Sequence, residues 1–193
     1  MYHELLRDAS FWSVLYQIDK DLAETARKAK CPCGGCLHCA HYLRSPRGGP
    51  EKLPKELCYR LSFCCQRDGC RKRVTPPSVR FLGRRVFLGA VVILVSAMQQ
   101  GPSPRRVREL SKLFEVDRRT IARWQVFWQE HFPKAPFWKV HRGQLIAMVE
   151  ILFLPRSLLE AFVHSGDDQE GWKRLLRFLS PITTGGGLMS KVF

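Results

Sequence analysis

Cys31-Pro-Cys33-Gly-Gly-Cys36-Leu-His38-Cys39-Ala-His41, then Cys58, then Cys64-Cys65-Gln-Arg-Asp-Gly-Cys70, contain all eight cysteines of this chain. Core cysteines recur at helix or strand period. These form two tight clusters separated by a polar, Pro- and Gly-rich spacer, which suits a metal ion pinning two turns together. Zinc prefers four ligands in a tetrahedron, and thiolates are its usual structural partners. Cys31-Pro32-Cys33-Gly34-Gly35 has the chemistry of a zinc-ribbon knuckle, because a glycine after the second ligand permits the positive φ that turns backbone N–H groups toward sulfur. Cys65 to Cys70, with Gly69 before the last cysteine, forms a second knuckle. The expected ligands of a structural Zn2+ are therefore Cys31, Cys33, Cys65 and Cys70. Cys36, Cys39 and Cys64 stand in reserve, His38 and His41 are possible substitutes, and a second ion is an open alternative. No His-Glu-x-x-His or related catalytic pattern is present.

Working outward, residues 1–30 read as an amphipathic helix, with Phe11, Val14, Leu15, Ile18, Leu22 and Ala26 on one face and Asp19, Lys20, Asp21, Glu24 and Arg27 off it. Residues 31–77 have too few large apolar groups for a core of their own. Short strands are expected around 57–63, where Leu57, Tyr59, Leu61 and Phe63 alternate with other residues. Val86 to Met98 is an apolar run behind Arg84-Arg85. It is shorter than the ~20 residues needed to span a bilayer, so a buried helix is expected to end at Gly101. Ser103-Pro104 reads as the next helix start.

Residues 78–135 contain a helix-turn-helix pattern. Val107, Leu110, Leu113, Val116, Ile121 and Trp124 fall where a two-helix corner buries them. Asp117 caps the second helix, which is stopped near Pro133. Glu115 stands where such turns often carry glycine, so a left-handed backbone there has a cost. Arg118, Arg119, Thr120 and Arg123 would face the major groove, and Arg105, Arg106, Arg108 and Lys112 on the first helix would meet phosphates. Arg71, Lys72, Arg73, Arg80, Arg84 and Arg85 would extend this into a basic strip. Residues 136–193 read as a helical extension, with helices at 157–163 and 169–179 and a loose tail. Asp167, Asp168 and Glu170 mark a helix N-terminus.

The composition agrees with a polyanion partner. The 193-residue chain carries 32 Lys and Arg against 17 Asp and Glu, a net charge of +15, so double-stranded DNA is the expected ligand. Met1-Tyr-His-Glu-Leu-Leu-Arg-Asp has no secretory pattern. A reducing, cytoplasmic and nucleoid-associated location is expected, with thiolate ligands rather than disulfides. The fold class is mainly α: a small Cys-rich zinc ribbon of short β-hairpins, followed by a helical bundle containing a helix-turn-helix.

The order CPCGG, FCCQRDGCRKRVTPPSVRFLGRRVFLG, DRRTIARW and LLRFLSP resembles a group of bacterial zinc-ribbon and helix-turn-helix proteins of transposase-like type. The resemblance implies a DNA-binding role tied to mobile elements, with Cys31, Cys33, Cys65 and Cys70 as the recurring cysteines and Cys36 and Cys39 as extras. The residues left after the helix-turn-helix are too few for a nuclease core, so no catalysis is expected. The role is that of an accessory or end-recognition factor beside a transposase or recombinase. A transcriptional regulator, which would need a symmetric dimer, and an RNA-binding or scaffold protein are the alternatives, and self-association as a homo-oligomer is open to any of these roles.

Overall fold

The computed structural model describes residues 2–44, 47–48, 50, 52–82, 89–99, 105, 108–109, 112, 114–145, 148–163 and 168–184. Arg84, Arg85, Gly101, Ser103, Pro104, Arg106, Val107, Leu110, Leu113 and Asp167 lie outside the described residues.

A short helix α1 (Tyr2–Leu5) leads into α2 (Ala9–Lys28). Asp8 caps α2, its carboxylate accepting the Ser10 N–H at 2.8 Å and so satisfying one of the free donors of the first turn. The helix ends where Lys30 turns left-handed, at φ +60°, and the first cysteine follows at once. Its buried face is Phe11, Trp12, Leu15, Ile18, Asp19 and Ala23. This corrects the sequence expectation twice. Val14 is exposed, because Trp12 turns inward and donates its indole N–H to the Leu6 carbonyl at 2.9 Å. Asp19, read as a solvent-facing charge, is 1 % exposed.

The Cys-rich segment folds as two small antiparallel sheets. The first has order β1-β4-β5, from β1 (Leu37–Cys39), β4 (Phe63–Cys65) and β5 (Arg73–Val74). The second pairs β2 (Tyr42–Leu43) with β3 (Tyr59–Arg60). Leu37, Leu61, Phe63, Cys31 and Cys65 share a small buried cluster with Ala23 of α2. The expected alternation over 57–63 fails at its centre: Tyr59 is exposed and Arg60 is buried. The cause is polar, since Arg60 Nη2 donates to the Pro76 carbonyl at 2.6 Å.

Mainly helical structure follows. Helix α3 (Gly89–Gln99) is buried from Ala90 to Ala97, as a helix apolar on every side must be. Among the described residues no helix is long and apolar enough to cross a membrane. Around α3 pack α4 (Arg118–Val126), α6 (Arg156–Phe162) and α7 (Asp168–Leu179), with α5 (Pro136–His141) between α4 and α6 in the chain. Asp168 and Glu170 lie in the first turn of α7, where their charge suits the helix dipole. Past Val126 the chain winds through a π-helical turn (Phe127–His131) and a 3-10 turn (Phe132–Lys134). Trp128, Phe132 and Trp138 are buried there, with ring centroids 5.0 and 5.2 Å from Phe132.

One buried network joins these parts. Asp19 Oδ2 accepts from Arg80 Nε at 2.8 Å and from Ser78 Oγ at 2.7 Å, and Oδ1 accepts the Val79 N–H at 2.7 Å. Arg80 also donates to the Leu57 carbonyl, and to that of Tyr59 at 2.9 Å. Ser78 N–H donates to Thr183 Oγ1 at 2.9 Å. Arg80 is 1 % exposed, so it leaves the basic strip read from the sequence: its guanidinium is spent inside the fold.

Removing one partner of a buried ion pair strands the other. Asp19→Ala is expected to lower unfolding free energy by about 3–5 kcal/mol in urea titrations of the full chain. Glu24→Ala, which breaks the exposed 3.3 Å pair with Arg27, is expected to change it by under about 1 kcal/mol.

Candidate metal centre

Two loops bring the cysteines together. In the first, Gly34 N–H donates to the Cys31 carbonyl at 2.7 Å and Cys31 N–H donates to that of Gly35 at 3.0 Å. This curl needs Gly34 at φ +80°, a conformation that costs a side-chain-bearing residue more. The second loop follows β4. Cys70 N–H donates to the Arg67 carbonyl at 3.1 Å, and Cys65 N–H closes the hairpin on the Lys72 carbonyl at 3.0 Å. The β1–β4 register places Leu37 opposite Cys65 and so sets the loops side by side. Gln66 N–H to the Cys36 carbonyl (2.9 Å) and Arg67 Nη1 to that of Cys33 (2.7 Å) lock them.

The result is a four-sulfur cluster. The Sγ atoms of Cys31, Cys33, Cys65 and Cys70 all lie within 4.8 Å of one another. Cys31 to Cys70 is 3.8 Å and Cys33 to Cys65 is 3.5 Å. Four sulfurs bonded at about 2.3 Å to a tetrahedral centre stand about 3.8 Å apart, so the cluster fits a four-coordinate metal. Gly35 keeps the space open, because a Cβ there would lie 2.6 Å from Cys65 Sγ.

Backbone donors surround the sulfurs. The Gly35 N–H, helped by the thiols of Cys65, Cys70 and Cys31, pulls Cys33 down to about 6. The Arg67 N–H favours the Cys65 thiolate, but burial and the neighbouring thiols of Cys33, Cys31 and Cys70 push that group up to about 12. At Cys31 the Cys33 N–H acts in the same favourable sense, and burial with the Cys33 and Cys70 thiols raises it overall. These surroundings favour the thiolate at Cys33 and the protonated thiol at Cys31 and Cys65.

The other candidates stand apart. Cys36 and Cys39 are exposed, and Cys64 is half-buried with its Sγ 3.4 Å from the Arg71 carbonyl. His38 pairs with Gln66 Oε1 at 2.9 Å, and His41 Nδ1 receives the Ser62 N–H at 3.1 Å. Among the described residues no second group of metal-ligating side chains comes together.

The basic candidates are divided between the helices and the Cys-rich segment. Arg118, Arg119 and Arg123 are exposed on α4, and half-buried Thr120 Oγ1 receives Arg123 Nη2 at 3.0 Å. Arg105, Arg108 and Lys112 are exposed on helical backbone, with Arg105 Nε 3.0 Å from Glu109. In the Cys-rich segment Arg71 pairs with Asp68 at 3.0 Å, and Arg73 Nη1 donates to Ser62 Oγ at 3.1 Å. Sequence reasoning missed the buried charges Asp19, Arg44 and Arg60. Their only sequence signal was a charge on or beside an apolar face. No protein-family model matches this chain, and no curated protein or solved structure shows significant similarity to it.

Single Cys→Ser substitutions at 31, 33, 65 or 70 are expected to take bound metal per chain toward zero by elemental analysis, while those at 36, 39 and 64 leave it unchanged. Gly35→Ala is expected to weaken metal binding about 10–100-fold by displacing Cys65. Metal must displace the protons of its thiol ligands, Cys31 and Cys65 among them, so apparent affinity should fall by at least about 100-fold per pH unit on acidification. The fall steepens below about 6, where Cys33 takes up its own proton. Competition with a metallochromic indicator reads both effects.

Proposed function

We propose that this protein binds double-stranded DNA through a helix-turn-helix whose second helix is α4, and that a structural Zn2+ in the cysteine quartet holds the adjoining ribbon. The observation that carries the reading is the division of α4 into two faces. Ile121 and Trp124 are buried, while Arg118, Arg119 and Arg123 are exposed. Asp117 caps this helix, accepting the Arg119 N–H at 2.7 Å. Before it, Phe114 and Val116 are buried on either side of Glu115, which stands at φ +52°. That is the left-handed turn conformation a helix-turn-helix corner uses, adopted here without glycine and held by the two buried flanking residues.

The chemistry of each face suits duplex DNA. Arg119 and Arg123 lie one turn apart, so both reach the same stretch of groove. The arginine fork bonds guanine O6 and N7 bidentately or clamps phosphate. Arg105, Arg108 and Lys112 on the preceding helical segment supply phosphate contacts, which fix register without reading sequence. A closed thiolate quartet leaves no open position on a metal, which favours a structural ion, and zinc is the usual occupant of four soft sulfurs. The small apolar cluster of the Cys-rich segment gains folding free energy from it. The motif order, which resembles that of transposase-like proteins, makes recognition of a mobile element's ends the first role to test.

Fluorescence anisotropy with duplex DNA at several salt concentrations tests this reading. Arg119→Ala with Arg123→Ala is expected to cost about 1–3 kcal/mol for each lost base contact, or to lower the salt slope by about 0.9 for each lost phosphate contact. Unchanged affinity and slope in a folded double variant would sink the DNA reading. Tighter binding to structured RNA than to any duplex would replace it.

A further inference from the structure

The buried carboxylate and guanidinium groups do not balance. Among the described residues they are Asp19 on one side and Arg44, Arg60 and Arg80 on the other, with relative exposures of 1, 8, 1 and 1 %. Asp19 already serves three donors, the Val79 N–H at Oδ1 and Ser78 Oγ and Arg80 Nε at Oδ2, and none of them is Arg44 or Arg60. Arg80 is fully engaged. Arg60 donates through Nη2 to Pro76, but its Nη1 has no hydrogen-bond partner, and neither has Arg44 Nη2. Each nitrogen is sealed from solvent. Burial pulls the Arg60 guanidinium down to about 10, with Asp19 pushing back, so it stays charged at neutral pH.

These two arginines are neighbours by register. Tyr42 stands opposite Arg60, and the Arg44 N–H bonds the Cys58 carbonyl at 2.7 Å. Arg44 and Arg60 are therefore diagonal neighbours on one face of the β2–β3 ribbon, a placement that brings long side chains within reach of each other. The Arg44 guanidinium lies 5.7 Å from the Phe81 ring centroid, and that of Arg80 lies 5.0 Å from the same centroid. An aromatic face and the Tyr42 phenol beside Arg44 soften the positive field but do not neutralise it. Like charges held together in a dry interior are costly unless a counter-charge joins them.

We propose that Arg44 and Arg60 hold a buried chloride ion, taken up on folding and shared between Arg44 Nη2 and Arg60 Nη1. Each guanidinium has one nitrogen that is sealed from solvent and without a partner, so the complement is a single compact acceptor. A tetrahedral oxyanion would ask for more donors than these two sealed nitrogens supply. A DNA phosphate cannot reach nitrogens that solvent does not touch. The ion supplies one of the missing negative charges and fastens β2 to β3 beside the Asp19 network. This site is separate from the metal centre and from the proposed DNA surface.

Thermal unfolding of the full chain in sodium chloride, sodium phosphate and sodium gluconate at matched ionic strength tests it. The unfolding midpoint is expected to rise by about 3–5 °C for each tenfold increase in chloride above its dissociation constant. Phosphate and gluconate should produce no such rise. In Arg44→Met, which removes one charge at similar volume, the chloride slope should vanish. Crystals grown with bromide should show an anomalous peak between Arg44 and Arg60, a readout that stands even if the variant does not fold. Equal chloride slopes in both proteins, stabilisation by phosphate with chloride inert, or no bromide peak would each overturn the proposal.

Discussion

The carboxylate of Asp19 is the point on which the rest of this structure is hung. It projects from the middle of α2 and receives donors from Ser78, Val79 and Arg80. Arg80 in turn grips the carbonyls of Leu57 and Tyr59 inside the Cys-rich segment. Ser78 reaches Thr183, which is far away in the chain. Four regions distant in sequence thus meet at one buried anion. A charge held in a low-dielectric interior is tolerated only with its partners in place. The network therefore specifies position as well as adhesion: a shifted element would leave a buried donor or acceptor empty.

The same network explains how a small β module with a thin core is held. Its apolar cluster is Leu37, Leu61 and Phe63 with Ala23 and two cysteines. At one end the sulfur quartet gathers two loops. At the other, Arg60 and Arg80 tie β3 and the turn before it to the segment leading toward α3. Helix α2 runs along both, because it carries Asp19 and ends just before Cys31. A metal in the quartet would therefore act on a module whose orientation to the helices is already set.

The helical half is organised differently. Helix α3 is apolar all round and sits at the centre. Helix α4 presses Ile121 and Trp124 inward, which leaves its arginines nowhere to go but out. A like-charged exposed face costs stability through self-repulsion, and it attracts polyanions for the same reason. The buried arginines near Asp19 and the exposed ones on α4 are the same residue type in opposite roles, and only burial separates them.

Much of this was legible in the residues themselves. Cysteine spacing with its knuckle glycines singled out Cys31, Cys33, Cys65 and Cys70, because turn chemistry is local: Gly34 and Gly69 are needed at positive φ whatever surrounds them. Asp117 as a cap, the apolar run of α3 and the helices α6 and α7 were also legible, since caps and periodicity act within a few residues. The tertiary structure alone decided that Asp19 points inward, that Arg60 rather than Tyr59 is buried, and that Arg80 is lost to any surface. A charged side chain carries no sign in the sequence of whether its partner waits 60 residues away. Pairing at that distance follows from how elements pack, and packing is a property of the whole chain.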